Sequence, residues 1–169
     1  RFTRKEYDSV RLLESVTDYN GLGIRFEYTK EGLLHSITDS AGRRLRVEHD
    51  TRNGRILEIY GPHPEDPEKE ITLASYEYDA DGNMTLQRNA AGDVMTYEYA
   101  GRLIVKETWR NGLAWYFEYD GTGVGSRCVH TWGDGGIYDH KLTFREGVTE
   151  VLDSHGGLTV YHHRGGLVW

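Results

Sequence analysis

The stretch Tyr76-Glu77-Tyr78-Asp79-Ala80-Asp81-Gly82-Asn83-Met84, followed by Asn89-Ala90-Ala91-Gly92, decides the fold. Tyr76 and Tyr78 flank Glu77, so the two rings project to one face and the carboxylate to the other, as on a half-buried strand. Asp79-Ala80-Asp81-Gly82 then supplies residues that tolerate positive φ and close a hairpin. Met84-Thr85-Leu86-Gln87-Arg88 alternates again and reads as the returning strand. Two strands and two short turns fill this stretch, within ordinary strand lengths.

The same register returns along the chain at a period of about twenty-one residues, the spacing of a small unit that must stack on its neighbours to bury its apolar face. One copy starts at Tyr97-Glu98-Tyr99, another at Phe117-Glu118-Tyr119-Asp120, and an earlier one at Phe26-Glu27-Tyr28. Turn glycines keep time with it: Gly21, Gly42, Gly92, Gly112, Gly135 and Gly156. A degenerate copy, Val47-Glu48-His49-Asp50, carries His49 where the others carry Tyr, and weaker copies lie near Phe144 and Tyr161. The expected structural residues are therefore the aromatic wall Phe26, Tyr28, Tyr76, Tyr78, Tyr97, Tyr99, Phe117 and Tyr119, with Gly42, Gly82, Gly92 and Gly112 at its corners. No helical period extends beyond a turn or two, so the fold class is all-β, an antiparallel meander of hairpin repeats.

All three prolines fall in Gly61-Pro62-His63-Pro64-Glu65-Asp66-Pro67-Glu68-Lys69-Glu70, which reads as a turn insertion at about 61–70 within a single run of repeats over 1–169. The chain starts and stops inside a repeat, and neither end has the polar cap of a terminal unit, so the expectation is a segment of a longer polypeptide.

Composition narrows the function classes. The net charge of −7 argues against nucleic acid, because phosphate binding needs concentrated Lys and Arg. The densest basic stretch, Arg43-Arg44-Leu45-Arg46, is broken by an apolar residue, as in a strand. No apolar run is long enough to span a membrane. Cys128 is the single cysteine, so an intramolecular disulfide is excluded. Twelve tyrosines and twenty-one glycines suit a repetitive β structure in which rings pack a pleated surface and glycines turn corners.

Candidate chemistry is sparse. Glu27, Glu48, Glu77, Glu98 and Glu118 recur at one position and read as a solvated face with cations such as Arg88 or Lys106 interleaved, with a carboxylate ladder for a cation as the alternative. His155, His162, His163 and Asp153 lie close in sequence, but His162 and His163 point to opposite faces of a strand and no zinc spacing is present. Gly121-Thr122-Gly123-Val124-Gly125-Ser126 lacks the lysine and following helix of a phosphate loop and reads as an enlarged turn. Ser126, Ser154 and Cys128 have no flanking motif of a nucleophile. Trp109, Trp115, Trp132 and Tyr138 offer rings for stacking on sugars, with Trp109 and Trp132 the candidate glycan contacts. No catalytic residue, metal ligand or cofactor is assigned.

In this register the Tyr-x-Tyr-Asp-x-x-Gly-Asn/Arg pattern of Tyr76 to Gly92, with its variants at Phe26 to Gly42, Tyr97 to Gly112 and Phe117 to Gly135, resembles the YD repeats of the bacterial Rhs family. Related repeats occur in the C components of insecticidal toxin complexes and in teneurins. The resemblance implies a β-sheet wound in a spiral into a hollow shell that encloses a C-terminal toxic domain. It also implies delivery, often by the type VI secretion apparatus, in competition between bacteria. The partners so implied are the remaining repeats and toxin domain of the same longer polypeptide and secretion-apparatus proteins, with no nucleic acid and no membrane span. The site implied is cytoplasmic synthesis in a bacterium followed by secretion or delivery to a target cell. Family members release the toxin at an aspartate-containing motif after the last repeats; no such motif is visible, so no cleavage residue carries over. The alternative is a carbohydrate- or cell-surface-binding repeat module.

Overall fold

Alternating aromatic and charged residues between Asx-type turns leave the backbone one regular option, the antiparallel ladder. The computed structural model describes residues 2–7, 10–66 and 68–168. Pro67 of the insertion, Asp8 and Trp169 lie outside the described residues. The chain divides into two compact units, residues 1–77 with 87–93, and residues 78–86 with 94–169.

The first unit contains β1 (Phe2–Tyr7), β2 (Val10–Thr17), β3 (Gly23–Tyr28), β4 (Leu34–Asp39), β5 (Arg44–His49), β6 (Ile56–Pro62) and most of β7 (Glu70–Tyr78). Each of these strands pairs antiparallel with the next. The proline-containing insertion forms the connection between β6 and β7, closed by His63 N–H on Lys69 O at 2.8 Å and by the Lys69–Asp66 ion pair at 2.8 Å. β8 (Met84–Asn89) leads into the turn around Gly92.

In the second unit β9 (Val94–Ala100), β10 (Leu103–Thr108), β11 (Ala114–Tyr119), β12 (Cys128–Gly133), β13 (Ile137–Arg145), β14 (Val148–Asp153), β15 (Leu158–Arg164) and β16 (Leu167–Val168) follow the same antiparallel order. Among the described residues the one helical segment is a 3-10 turn, Asp134–Gly136, between β12 and β13. The Gly121–Ser126 run closes the β11–β12 hairpin, with Asp120 N–H on Arg127 O at 3.0 Å. The protein is therefore all-β.

The turns work by one chemistry. Asp39 Oδ1 accepts from the N–H groups of Ala41 and Arg43, each at 2.9 Å, and Asp153 Oδ1 does the same for His155 and Gly157 at 2.8 Å. Asn89 repeats the arrangement with Ala91 and Asp93. These side chains satisfy donors that the tight turn would otherwise leave bare. In the β8–β9 turn Gly92 sits at φ 89°, in the left-handed region that a side chain resists.

Apolar burial is thin. Among the described residues Val47 and Ala114, each 5% exposed, are the buried apolar side chains. Most other strand residues are half-buried, so cross-strand pairs and backbone ladders carry the sheet.

Candidate functional site

A recurring staple ties four of the hairpins to the strand before. Tyr28 Oη donates to Leu13 O, Tyr99 Oη to Met84 O, and Tyr119 Oη to Ile104 O, every one at 2.8 Å and fifteen residues upstream. In the degenerate copy His49 Nε2 reaches Leu34 O at 2.7 Å across the same interval, while its Nδ1 lies 3.0 Å from Gly54 O. The imidazole thus replaces the phenol as the reaching group. Tyr76 and Tyr78 stand half-buried on β7, as do Phe26 and Phe117 on β3 and β11.

The register next to these residues is irregular in a repeating way. Tyr28 faces Leu34 while Glu27 faces Ser36, so His35 is extra; His49 and Glu48 leave Leu57 extra; Tyr119 and Glu118 leave Val129 extra. Such a bulge interrupts the ladder and increases the local twist. On the Tyr99 copy the extra residue is Val105.

The opposite face carries the glutamates, and Glu27, Glu48, Glu98 and Glu118 each have a partner of their own. Ser36, fully buried, donates its hydroxyl to Glu27 Oε2 at 2.6 Å, and Arg44 Nη2 reaches both groups. The Ser36 hydrogen bond is the main cause that lowers the Glu27 pKa. Glu98 pairs with Lys106 at 2.8 Å, and Glu48 meets Arg46 at 3.5 Å and the Tyr60 hydroxyl at 3.2 Å. Tyr60 also donates to Glu58, which with burial and Glu48 pushes its phenol up to about 12. Arg88, expected among the interleaved cations, donates instead to the Gly92 carbonyl at 3.3 Å.

The densest group of distinctive side chains lies on β11 to β13. Trp115 pairs with Gly133 and Tyr116 with Trp132, so consecutive Trp115 and Tyr116 take opposite faces. On the Trp115 face, Trp109 lies 5.5 Å away and Tyr138 5.9 Å away between ring centroids. On the other face Trp132 stacks on Tyr116 at 5.4 Å and on His130 at 4.2 Å. Trp109 and Trp132, considered together in the sequence, therefore do not share a surface. Trp109 is 41% exposed and donates its indole N–H to Glu107 at 2.8 Å.

One bulge on β13 equips both faces. Thr131 faces His140 and Gly133 faces Ile137, so Tyr138 and Asp139 together oppose Trp132. Asp139 reaches His130 Nε2 at 3.0 Å, while Glu118 lies 3.1 Å from His130 Nδ1. Tyr138, the one non-glycine residue at positive φ among the described residues, sits at 49° and is 67% exposed. Trp115 Nε1 is buried with no acceptor among the described residues.

These groups hydrogen-bond and stack on one another, and no nucleophile among them is placed against a base. Burial raises the Cys128 thiol pKa, and the thiol donates to His130 O at 3.4 Å. His163 Nε2 lies 3.4 Å from Thr149 Oγ1, and Asp153 is engaged in its turn. Among the described residues no group of three His, Cys, Asp or Glu side chains is placed to hold a metal ion. No helix among them is long and apolar enough to cross a membrane.

The Tyr138 bulge and the His130 bridge escaped the sequence reading. Their signal was the Gly135-Gly136 pair ahead of Ile137-Tyr138, since glycine within a strand pattern marks a bulge. The staple had a signal too, the Tyr or His that follows the recurring Glu in each of these copies.

Hairpins that repeat in register, four of them stapled to the preceding strand by a phenol or imidazole, define a β-hairpin repeat protein. The sequence profile of the teneurin YD-shell matches residues 4–164, and the chain belongs to that family. None of the curated proteins matches it by sequence. Among solved structures it is similar to TcdB2–TccC3 without its hypervariable C-terminal region, with a TM-score of 0.60 and 13% identity over 89% of this chain and 8% of that one. TcdB2–TccC3–Cdc42 gives a TM-score of 0.57 and 14% identity, covering 95% of this chain and 8% of that one. The Tc holotoxin pore of Photorhabdus luminescens gives 0.56 and 15%, covering 83% and 7%. The chain thus spans less than a tenth of each of these three chains, and at these identities the likeness carries the fold alone.

Proposed function

We propose that this chain is a stretch of wall in a hollow β-shell that encloses a C-terminal toxin and helps deliver it to a competing bacterium. The observation that carries the reading is the staple: Tyr28, His49, Tyr99 and Tyr119 each bond a carbonyl fifteen residues upstream. Such a device lets hairpins be added without a conventional core, as a wall requires. In this reading the chain is not itself an enzyme, and any catalytic activity resides in the enclosed domain. Its partners are further repeats and the cargo of the same polypeptide, together with secretion proteins of the type VI kind. Synthesis takes place in the bacterial cytoplasm, before secretion or delivery to a target cell.

Cryo-electron microscopy of the complete native polypeptide tests this. A closed shell with density inside is the expected result. An open or solid array enclosing nothing would overturn it.

A second reading, a carbohydrate- or cell-surface-binding module, is favoured by the exposed Trp109 ring. Glycan-array binding that disappears in Trp109→Ala and Trp132→Ala would support it; binding that survives both would remove the stacking argument.

A further inference from the structure

Three Asn-Gly pairs stand in turns: Asn20-Gly21 between β2 and β3, Asn53-Gly54 between β5 and β6, and Asn111-Gly112 between β10 and β11. The pairing has a chemistry of its own. The backbone nitrogen that follows an asparagine can attack its side-chain amide, and glycine, with no Cβ, hinders that attack least. All three asparagines are exposed, and their glycines hold φ values of 85°, 72° and 84°.

The fold holds the three pairs very differently. Asn53 is tied at both ends of its amide, with Nδ2 donating to Asp50 Oδ2 at 2.9 Å and Oδ1 accepting from Arg55 N–H at 3.0 Å. Gly54 N–H is committed to Asp50 O at 2.7 Å. Leu33 packs over this glycine, so that an added Cβ would meet Leu33 Cδ2 at 3.1 Å. Asn111 is tied at one end, by Leu113 N–H on Oδ1 at 3.1 Å, and Gly112 N–H donates to Trp109 O at 2.8 Å. Asn20 is the loose one. Its side chain has no hydrogen-bond partner among the described residues, and Gly21 N–H reaches Asp18 O at a long 3.4 Å. An added Cβ on Gly21 would meet nothing within 4 Å.

The attack needs an amide free to swing toward the next nitrogen, and a nitrogen free to give up its proton. Each hydrogen bond that holds either group has to break first and so raises the barrier. We propose that Asn20 is a site of spontaneous modification that converts without an enzyme to aspartate and isoaspartate, with Asn111 slower and Asn53 protected by the fold. Gly21 N forms a bond to Asn20 Cγ as the Cγ–Nδ2 bond breaks, and the proton from Gly21 N leaves with the amide nitrogen as ammonia. Water then opens the cyclic imide at either carbonyl. One opening gives aspartate; the other gives isoaspartate, whose main chain runs through the former side chain. No oxidant, reductant or metal enters the balance.

The product alters the β2–β3 turn. The imide nitrogen has no proton left for Asp18 O. The new carboxylate stands beside Asp18, whose Oδ1 accepts from the N–H groups of residues 20 and 22 at 2.8 Å and 2.9 Å, and the two like charges repel.

The test is peptide-mapping mass spectrometry of the full chain aged in neutral buffer made with heavy-oxygen water, beside a sample unfolded in urea. Heavy oxygen is expected at position 20 about tenfold or more faster than at position 53, since two side-chain hydrogen bonds separate these extremes. Position 111 is expected between them, and in urea the three rates are expected to converge. Equal rates at positions 20 and 53 in the folded chain overturn the proposal. So does a ranking that persists unchanged in urea, which would trace it to neighbouring residues instead of the fold. Asn20 left intact in the folded chain after the unfolded chain has converted overturns it as well.

Discussion

The phenol of Tyr99 donates to the carbonyl of Met84 at 2.8 Å, closing a gap of fifteen residues between one hairpin and the next. The bond sits where β10 is bulged at Val105, beside the residue that faces Tyr99. Burial raises the pKa of this phenol, consistent with a hydroxyl held away from water.

Removing that hydroxyl should be costly out of proportion to its size. Tyr99→Phe and Tyr119→Phe each keep the ring and strand their carbonyl partner, so each is expected to lose about 1–3 kcal/mol in urea unfolding. The exposed Tyr138 is the control, and Tyr138→Phe is expected to change stability by less than about 0.5 kcal/mol. Equal effects at all three sites would mean that the staple carries no energy.

Gly92 tests the turn in isolation. A Cβ added there would meet nothing within 4 Å, so only the φ of 89° opposes it. Gly92→Ala is expected to cost about 1–2 kcal/mol and Gly92→Asn less, because Asn tolerates the left-handed region better. Thermal melts of both variants measure the difference.

Asn83 is a hub at 8% exposure. Its amide donates to Asp79 at 2.9 Å and to Gly101 O at 3.0 Å, and its oxygen accepts from Arg102 at 3.3 Å. Asn83→Ala is expected to cost about 2–3 kcal/mol by leaving Gly101 O without its partner. Asn83→Asp places a second carboxylate against Asp79 and should lose more at neutral pH, recovering part of it in acid as one of the pair protonates.

Turn aspartates predict an acid transition. Hydrogen bonds from Arg52 hold Asp50 at about 2; those from Arg43, from Asn83 and from the Gly157 N–H lower Asp39, Asp79 and Asp153. A depressed folded-state pKa contributes stability that is present above the unfolded value near 4 and is lost as pH falls through the folded one. Stability should therefore decline between about pH 4 and pH 2, and urea midpoints across that window measure it. Asp50→Asn should flatten the decline; an unchanged slope would exclude the Asp50 turn as one of its sources.

The strands and turns were legible in the sequence because their causes are local. Tyr97-Glu98-Tyr99 alternates at period two whatever lies beyond it, and Asn89-Ala90-Ala91-Gly92 carries its own hydrogen bonds and its own positive φ. The His49 copy was recognisable from register alone. The grouping of Trp109 with Trp132 was not resolvable, since a single bulge moves every later side chain to the other face.

By itself, then, the sequence determined the period, the all-β class, the turn positions and the membership of Tyr28, Tyr99 and Tyr119 in one series. Tertiary structure decided which carbonyl each phenol reaches, where His130 finds Glu118 and Asp139, and that Tyr138 lies against Trp115 in a left-handed conformation. The physical reason is range: alternation and turn chemistry act over a few residues. Bulges and cross-strand contacts depend on register, which is set only when strands distant in sequence pair.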